Sequence, residues 1–379
     1  MSVDPWVERS AADIARRAER ELEALVAISS PSGDRQGAEE CLSVCAVMAP
    51  DEASIERVPC SSPGHADDLI ARLSGTGSRR ILLLGHVDTV IAHADHRPLE
   101  RDGGKLVGSG SVDMKGGDVL ALGVLRALVE RRADFAEAAL LLVCDEEWRT
   151  SPFAHGPRFA GWDACLCFEA GERTDDGAEG IVVRRKAAGT VRVTARGRAA
   201  HSGSAPDRGR NALLALAAAA QAIAARHDPD GPAHLTAVPT VLRSGDAFNV
   251  VPDAGHLYCD VRADDLAAIH EVVHAVPGEV GGAGLATEMV RLWPGMDATA
   301  TTGALIERAT AALGRPVAGV RRGGASDASH FAGGIPVTVD GLGPRGGLAH
   351  NPGEFVLASS LPERAEVALA VADAALAGD

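Results

Sequence analysis

Ile81-Leu82-Leu83-Leu84-Gly85-His86-Val87-Asp88-Thr89 is an apolar run that ends on a histidine and an acid two residues apart. Four consecutive apolar residues suit a strand covered on both faces, as in a parallel or mixed sheet, better than a half-exposed antiparallel one. Positions i and i+2 of a strand share a face. His86 can therefore bind a metal at the strand's end while Asp88 stays close enough to orient it. The same grammar recurs along the chain. Residues 138–144 and 164–168 read as further buried strands, each running straight into acids, and 115–130 reads as a helix between strands. Alternation of this kind predicts an α/β layer. Every candidate group lies just past a strand, where open α/β sheets place their sites.

Before this core, Ile14, Leu22, Leu25 and Val26 mark one face of a helix ended by Pro31-Ser-Gly33. After it the texture changes near Ala188. Thr190-Val-Arg-Val-Thr-Ala195 alternates like a half-exposed strand, 211–226 is helical, and 236–242 and 256–261 are strands. A helix over 264–276 puts Leu266, Ile269, Val272 and Val273 on one side, and 290–292 reads as another strand. From Trp293 the α/β texture returns, with a helix over 302–313, a strand over 335–339 and a helix over 361–377. The expected architecture is an α/β catalytic domain, residues 1–187 and 294–379, whose mixed, mostly parallel sheet is flanked by helices. An inserted α+β lid of residues 188–293 interrupts it.

A chain of 379 residues exceeds one ordinary core, in keeping with two domains. With 46% hydrophobic and 23% charged residues it has the balance of a folded protein, and with 3% aromatics its core rests on Ala, Val and Leu. The net charge of −15 repels phosphate backbones and anionic lipid, which excludes nucleic acid and membrane as expected partners. Residues 1–20 carry charges throughout, unlike a signal peptide, and no apolar run reaches the roughly 18 residues of a membrane span. A cytoplasmic location is expected. The seven cysteines, without a CxxC pair, suit free thiols, and Cys165 and Cys167 read as small buried hydrophobes.

Four further motifs carry chemistry. Gly108-Ser-Gly110-Ser-Val-Asp113-Met-Lys-Gly116-Gly117 surrounds a lone acid with glycines, which let the backbone bend and approach closely. As a dinucleotide fingerprint it fails, because Asp113 takes the third glycine position and would repel a pyrophosphate. Cys144-Asp145-Glu146-Glu147-Trp148 sets three acids at the mouth of a buried strand. Their mutual repulsion calls for cations, with one glutamate binding metal and its neighbour serving as general base. Phe168-Glu169-Ala-Gly171 places another acid after a buried strand, and Ala349-His350-Asn-Pro-Gly-Glu354 follows a glycine-rich loop.

In their order, H-x-D, G-x-x-D-M-K-G-G, D-E-E, F-E and a C-terminal histidine resemble the family of di-zinc aminoacylases and carboxypeptidases. That family includes glutamate carboxypeptidase, acetylornithine deacetylase and succinyl-diaminopimelate desuccinylase, and the resemblance spans nearly the whole chain. It implies that His86 and Glu169 bind one Zn²⁺, Glu147 and His350 a second, and that Asp113 bridges both, with Co²⁺ or Mn²⁺ as substitutes. It implies Glu146 as general base, Asp88 as the acid behind His86, and a cis peptide bond after Asp113. The charges of two dications, three ligand carboxylates and a bridging hydroxide cancel. Carboxylate and imidazole ligands without thiolate suit catalytic zinc. The resemblance further implies a homodimer in which His201, in Ala200-His201-Ser-Gly, reaches the partner subunit's site and helps hold the oxyanion. Asn249 and Arg262 would contact substrate, Arg262 as a fork on its carboxylate. The implied activity is hydrolysis of an amide bond beside a free carboxylate by a metal-bridged hydroxide, in a peptide or N-acyl amino acid. A glutamate carboxypeptidase is the first choice and an N-acyl-amino-acid deacylase the second.

The pattern departs from the family at Trp148-Arg-Thr-Ser-Pro152, where a small turn usually stands, and this leaves side-chain specificity open. His93 and His96 read as surface groups, Arg184-Arg-Lys186 as a solvated run, and His330 as a bystander near a helix capped by Ser326 or Asp327. Two rivals from other classes are a silent amino-acid-binding relative, which should have lost a ligand or the base, and a nicotinamide oxidoreductase.

Overall fold

The structure, a computed structural model, describes residues 3–377, and the chain divides into two compact units. One takes Met1–Arg184, Met296–Arg322 and Ser326–Asp379; the other takes Arg185–Gly295 and Gly323–Ala325. The principal strands are β1 (Ser54–Val58), β2 (Asp68–Ser74), β3 (Arg79–His86), β4 (Phe135–Val143), β5 (Ala164–Cys167), β6 (Ala187–Arg196), β7 (Thr236–Ser244), β8 (Ala254–Ala263), β9 (Ala283–Trp293) and β10 (Val337–Val339). The helices are α1 (Pro5–Val26), α2 (Arg35–Met48), α3 (Gly116–Leu128), α4 (Ala212–Ala224), α5 (Leu266–His274), α6 (Gly303–Leu313), α7 (Ala328–Phe331) and α8 (Ser360–Leu376).

The first unit is an α/β layer on a mostly parallel sheet. Its strand order is β1-β2-β4-β3-β5-β10. The β1–β2 and β2–β4 pairs are antiparallel, and β4, β3, β5 and β10 run parallel. The apolar run that opens β3 explains itself here. Ile81 and Leu83 enter one core with α1, α3 and α8, while Leu82 and Leu84 enter a second core on the opposite face with Phe159, Trp162 and Phe331. Neither face can accept a polar side chain until the strand ends at His86. Helix α1 starts where Asp4 accepts hydrogen bonds from the backbone N–H of Trp6 and Val7 with Pro5 at its first position.

Helix α2 is absent from the expectation drawn from sequence. Its buried stripe is Ala38, Cys41, Leu42 and Cys45, and Asp34 caps it through the Gly37 N–H. Among the described residues no helix is long and apolar enough to cross a membrane.

The second unit carries an antiparallel sheet ordered β7-β8-β6-β9, extended by Glu279–Val280. Val191, Val193 and Ala195 of β6 pack with Leu216, Ala219 and Ile223 of α4 and Ile269 and Val272 of α5. Strand β9 is longer than the three residues expected. Its exposed and half-buried positions alternate without the apolar signal that marks a strand in sequence. The breaks between units fall beside Arg184 and Gly295, against the expected 187 and 294. The basic run is not simply solvated. Arg185 is buried and donates to the Gly324 carbonyl at 3.0 Å, Lys186 donates to the His234 carbonyl, and Arg184 pairs with Asp297 at 3.4 Å.

Candidate active site

Strands β4, β3 and β5 are neighbours and parallel, so their C-terminal ends emerge side by side. β3 delivers His86, β4 runs into Asp145-Glu146-Glu147, and β5 runs into Glu169. Asp113 arrives from the glycine-rich turn before α3, and His350 from the loop beyond β10, where it adopts a left-handed backbone with φ 64°. All converge. His86 Nε2 lies 3.1 Å from Asp113 Oδ1 and 3.8 Å from Glu169 Oε1. His350 Nε2 lies 3.1 Å from both Asp113 Oδ2 and Glu147 Oε1. Each Asp113 oxygen thus faces one imidazole. Ligand atoms of His86, Asp113 and Glu147 sit within 4.8 Å of one another.

The scaffold behind His86, Asp88 and Glu146 is polar and buried, while His350 is exposed. The His86 Nδ1–H donates to the Asp88 carbonyl at 3.0 Å, which points the Nε2 lone pair at the carboxylates. The Asp88 carboxylate, 3.4 Å from the same Nδ1, chiefly accepts the backbone N–H groups of Glu146 and Glu147, both at 3.1 Å. It therefore ties the end of β3 to the acidic loop as well as bordering His86. The peptide bond after Asp113 is cis. A glycine is required at 117, because a Cβ there would collide with the Phe168 carbonyl where α3 starts against the end of β5. Gly110, at φ 72°, opens the turn that carries Asp113.

Glu354 is a residue to which the sequence reading gave no role. It is buried, and its carboxylate accepts from Val112 N at 2.8 Å, Asp113 N at 2.9 Å and Gly110 N at 3.0 Å, holding the Asp113 turn from behind. Its sequence signal was its place four residues after His350. Arg149 is the second such residue. It lies in the stretch that departs from the family pattern and is buried between acids. It forms a bidentate pair with Asp327, both contacts at 2.6 Å, and reaches Asp145 Oδ1 at 2.9 Å. Asp327 is therefore an ion-pair partner, while Ser326 accepts the Ala328 N–H at the start of α7. His330 stacks on Phe153 at 4.7 Å, and burial holds its pKa down at about 4.

Electrostatically the cluster is under strain that a cation relieves. Burial alone would lower the His86 pKa, but the Asp113 and Asp88 carboxylates carry it well above the ordinary histidine value. Hydrogen bonds to Asp113 and Glu147 raise His350 to about 11. Burial opposes ionisation of Asp113, yet His350 and His86 hold its pKa below the usual carboxylate range. Burial pushes Glu146 well up, with the Asp327, Glu147 and Glu169 carboxylates adding to it, and raises Glu147 in spite of its bond to His350. Imidazole lone pairs facing carboxylate oxygens at 3.1 Å need a proton or a metal ion between them, so the donor set fits divalent cations. With the His86 and His350 pKa values raised in the metal-free chain, zinc loading at pH 7 should release protons, at least about two per chain where both imidazoles start protonated. Calorimetry in buffers of different ionisation enthalpy measures that number; zero release would contradict the ligand assignment of both imidazoles.

The second unit holds the remaining candidates. His201 pairs with Val250 in a short ribbon, and its exposed ring accepts at Nδ1 from the backbone N–H of Gly203 at 3.1 Å and Ser204 at 3.2 Å. Asn249 adjoins it, its carbonyl accepting from Ser202 N at 3.0 Å. Arg262 lies on β8, with Nε 2.9 Å from Asp260 Oδ2 and Nη1 3.4 Å from the Gly323 carbonyl. His93, exposed, meets Ser29 and Asp34 and stands outside the cluster.

Parallel strand ends that gather imidazole and carboxylate ligand atoms within 4.8 Å of one another form a candidate centre for divalent cations. Sequence comparison narrows the class. The model of Peptidase family M20/M25/M40 matches residues 82–374, and the chain belongs to that family. Carboxypeptidase G2 of Pseudomonas sp. (strain RS-16) is 27% identical over 362 residues, covering 90% of this chain and 85% of that protein. Succinyl-diaminopimelate desuccinylase of Rhodospirillum centenum is 31% identical over 337 residues, covering 81% and 84%. Among solved structures, aminopeptidase PepT of Bacillus cereus superposes with TM-score 0.73 at 21% identity, covering 95% of this chain and 98% of that one. Human carnosine dipeptidase 1 superposes with TM-score 0.68 at 13% identity, covering 98% and 100%. These structural likenesses concern the fold.

Proposed function

We propose that this chain hydrolyses an amide bond next to a free carboxylate, with a glutamate carboxypeptidase as first choice and an N-acyl-amino-acid deacylase as second. The observation that carries the reading is the meeting of His86, Asp113, Glu147, Glu169 and His350 in one cluster, whose charges also act on the buried Glu146 carboxyl. His86 and Glu169 would hold one cation, Glu147 and His350 another, and Asp113 both; the donor types suit Zn²⁺, with Co²⁺ or Mn²⁺ as substitutes. Two such cations supply a water-derived nucleophile at neutral pH and polarise the scissile carbonyl. Glu146 accepts the proton of the attacking water on its carboxylate and returns it to the leaving nitrogen. Asp88 keeps Glu146 and Glu147 in register through their backbone N–H groups and presents its carbonyl to His86.

His201 donates to the oxyanion of the partner subunit's substrate, so the active form is a homodimer. Support comes from β7, an edge strand that exposes Val238, Val241 and Leu242. An edge of this kind pairs with another chain unless it is blunted. Light scattering is expected to give twice the chain mass, and Leu242→Glu to give monomers with reduced turnover. A wild-type monomer with full activity would rule out the cross-subunit role. Arg262 and Asn249 receive the substrate carboxylate, which exchanges for the long 3.4 Å contact between Arg262 Nη1 and the Gly323 carbonyl.

Steady-state rates separate the two choices. On C-terminal glutamate peptides kcat/KM should exceed that on acetyl- and succinyl-amino acids by at least about tenfold, a difference of about 1.4 kcal/mol in transition-state binding. The reverse order would install the deacylase, the direction favoured by the desuccinylase relative.

A further inference from the structure

A second group of metal-type side chains lies beside the acidic loop and takes no part in the chemistry above. Cys60, Asp68 and Cys144 bring their ligand atoms within 4.8 Å of one another. Cys144 directly follows β4, and Asp68 opens the neighbouring β2. Cys60 stands on the loop between β1 and β2 and is partly exposed, whereas Asp68 and Cys144 are buried. That loop is fastened in place. Ser62 N donates to Asp145 Oδ2 at 3.0 Å, and Thr150 N donates to Ser62 Oγ at 2.9 Å.

The Asp68 carboxylate is also held. Oδ2 meets His155 Nε2 at 2.7 Å, and Oδ1 accepts the Cys144 N–H at 3.0 Å. Cys144 Sγ lies 3.1 Å from Asp68 Oδ1 and 3.0 Å from the Ala66 carbonyl. An imidazole on the far oxygen of a carboxylate is the arrangement that orients a metal ligand from outside.

We propose that Cys60, Cys144 and Asp68 form a binding site for a thiophilic divalent cation of the Zn²⁺ or Cd²⁺ type, separate from the carboxylate–imidazole centre. Two thiolates and a carboxylate suit a d¹⁰ cation in tetrahedral coordination, with the Ala66 carbonyl or a water in the fourth position. Bonds of about 2.3 Å to sulfur and about 2.0 Å to oxygen at tetrahedral angles put ligand atoms roughly 3.5 to 3.8 Å apart. Cys144 Sγ and Asp68 Oδ1 stand 3.1 Å apart and all three ligand atoms within 4.8 Å of one another, so side-chain rotations of a few tenths of an ångström to about 1 Å reach those spacings. On binding, two S–H bonds break, two metal–sulfur bonds form, and both protons pass to solvent, with no change of oxidation state. The Cys60 thiol and burial push the Cys144 pKa far up, so in the absence of a cation this sulfur stays a thiol, bonded to Asp68 and Ala66. Occupancy therefore increases with pH. Cys60 supplies the route from solvent.

Cd²⁺ titrated into the zinc-loaded wild-type chain should displace Zn²⁺ from the thiolates and raise the ultraviolet thiolate-to-cadmium charge-transfer band, saturating near about one equivalent. Cys60→Ser should cut its amplitude roughly tenfold. In the wild-type chain, alkylation of Cys60 followed by mass spectrometry should slow by at least about tenfold when Cd²⁺ is present. No band in the wild-type chain, an equal band in Cys60→Ser, or an alkylation rate unchanged by Cd²⁺ would each overturn the proposal. The alkylation readout holds even if the variant folds poorly. The carboxylate–imidazole centre has no sulfur ligand, so the band does not report on it, loss of the band in Cys60→Ser assigns it to this site, and the hydrolase reading can stand or fall independently.

Discussion

Glu146→Gln is expected to lower kcat by roughly 10³-fold, with KM and metal content close to those of the wild-type chain. The side chain is buried at the end of β4, and the amide occupies nearly the same volume. The glutamine cannot accept the proton of the attacking water, and this is the whole of the intended change. Its backbone N–H remains bound to Asp88, and no proposed ligand is removed. The sign for stability runs the other way from that for activity. Burial raises the Glu146 pKa above its ordinary 4.5, so ionising it destabilises the folded metal-free chain as pH rises through the raised value. The neutral amide lacks this cost, and metal-free Glu146→Gln should unfold at a temperature no lower than wild type at neutral pH. For the metal-loaded wild-type enzyme, kcat/KM should fall on the acid side as the Glu146 carboxylate protonates, and the residual activity of the variant should lack that limb. A variant that keeps wild-type turnover would remove Glu146 from the role of base.

The apolar strands of the first unit were legible because burial on both faces allows no polar residue. Ile81–Leu84 could not be read otherwise, and the acids that follow β4 and β5 stood out against that background. Parallel neighbours then bring strand ends together, which is why His86, Glu146, Glu147 and Glu169, scattered along the chain, could be anticipated at one place. Helix α2 was harder. Its i, i+3, i+4, i+7 stripe is present but is written in Ala38, Cys41, Leu42 and Cys45, weakly apolar residues that do not stand out. Glu354 and Arg149 were illegible for another reason. A carboxylate that accepts three backbone N–H groups and a guanidinium clamped by Asp145 and Asp327 depend on segments that meet only after folding. In sequence each looks like an ordinary surface charge. The Trp148–Pro152 departure, read as a gap in knowledge of specificity, instead contains the ion pair that fixes Asp145 beside the base.

Asp113→Asn separates the metals from the base. One oxygen of Asp113 faces His86 and the other faces His350, each at 3.1 Å, so in the proposed chemistry the carboxylate would be shared by two cations with no other common side chain. An amide offers a single oxygen, and its NH₂ group must turn toward one imidazole, where it repels a cation. Bound zinc should therefore fall by at least about one per chain, and kcat/KM should fall by about 10⁴-fold or more, the scale of several kcal/mol of lost charge stabilisation. Elemental analysis and kinetics on the same preparation measure both. Without metal the variant has a further signature. His350 and His86 hold the Asp113 pKa below its unfolded value, so this group stabilises the fold above pH 3.8 and loses that contribution as pH falls. Metal-free Asp113→Asn should thus be less stable than metal-free wild type at neutral pH and nearly equal to it in acid. Glu146→Gln should differ from it in keeping its metal and in losing no stability at neutral pH, while both lose turnover. That difference distinguishes a shared ligand from a proton carrier a few ångströms away. Wild-type zinc content retained in Asp113→Asn, with turnover intact, would leave the pair of imidazoles without the bridge that the proposed chemistry needs.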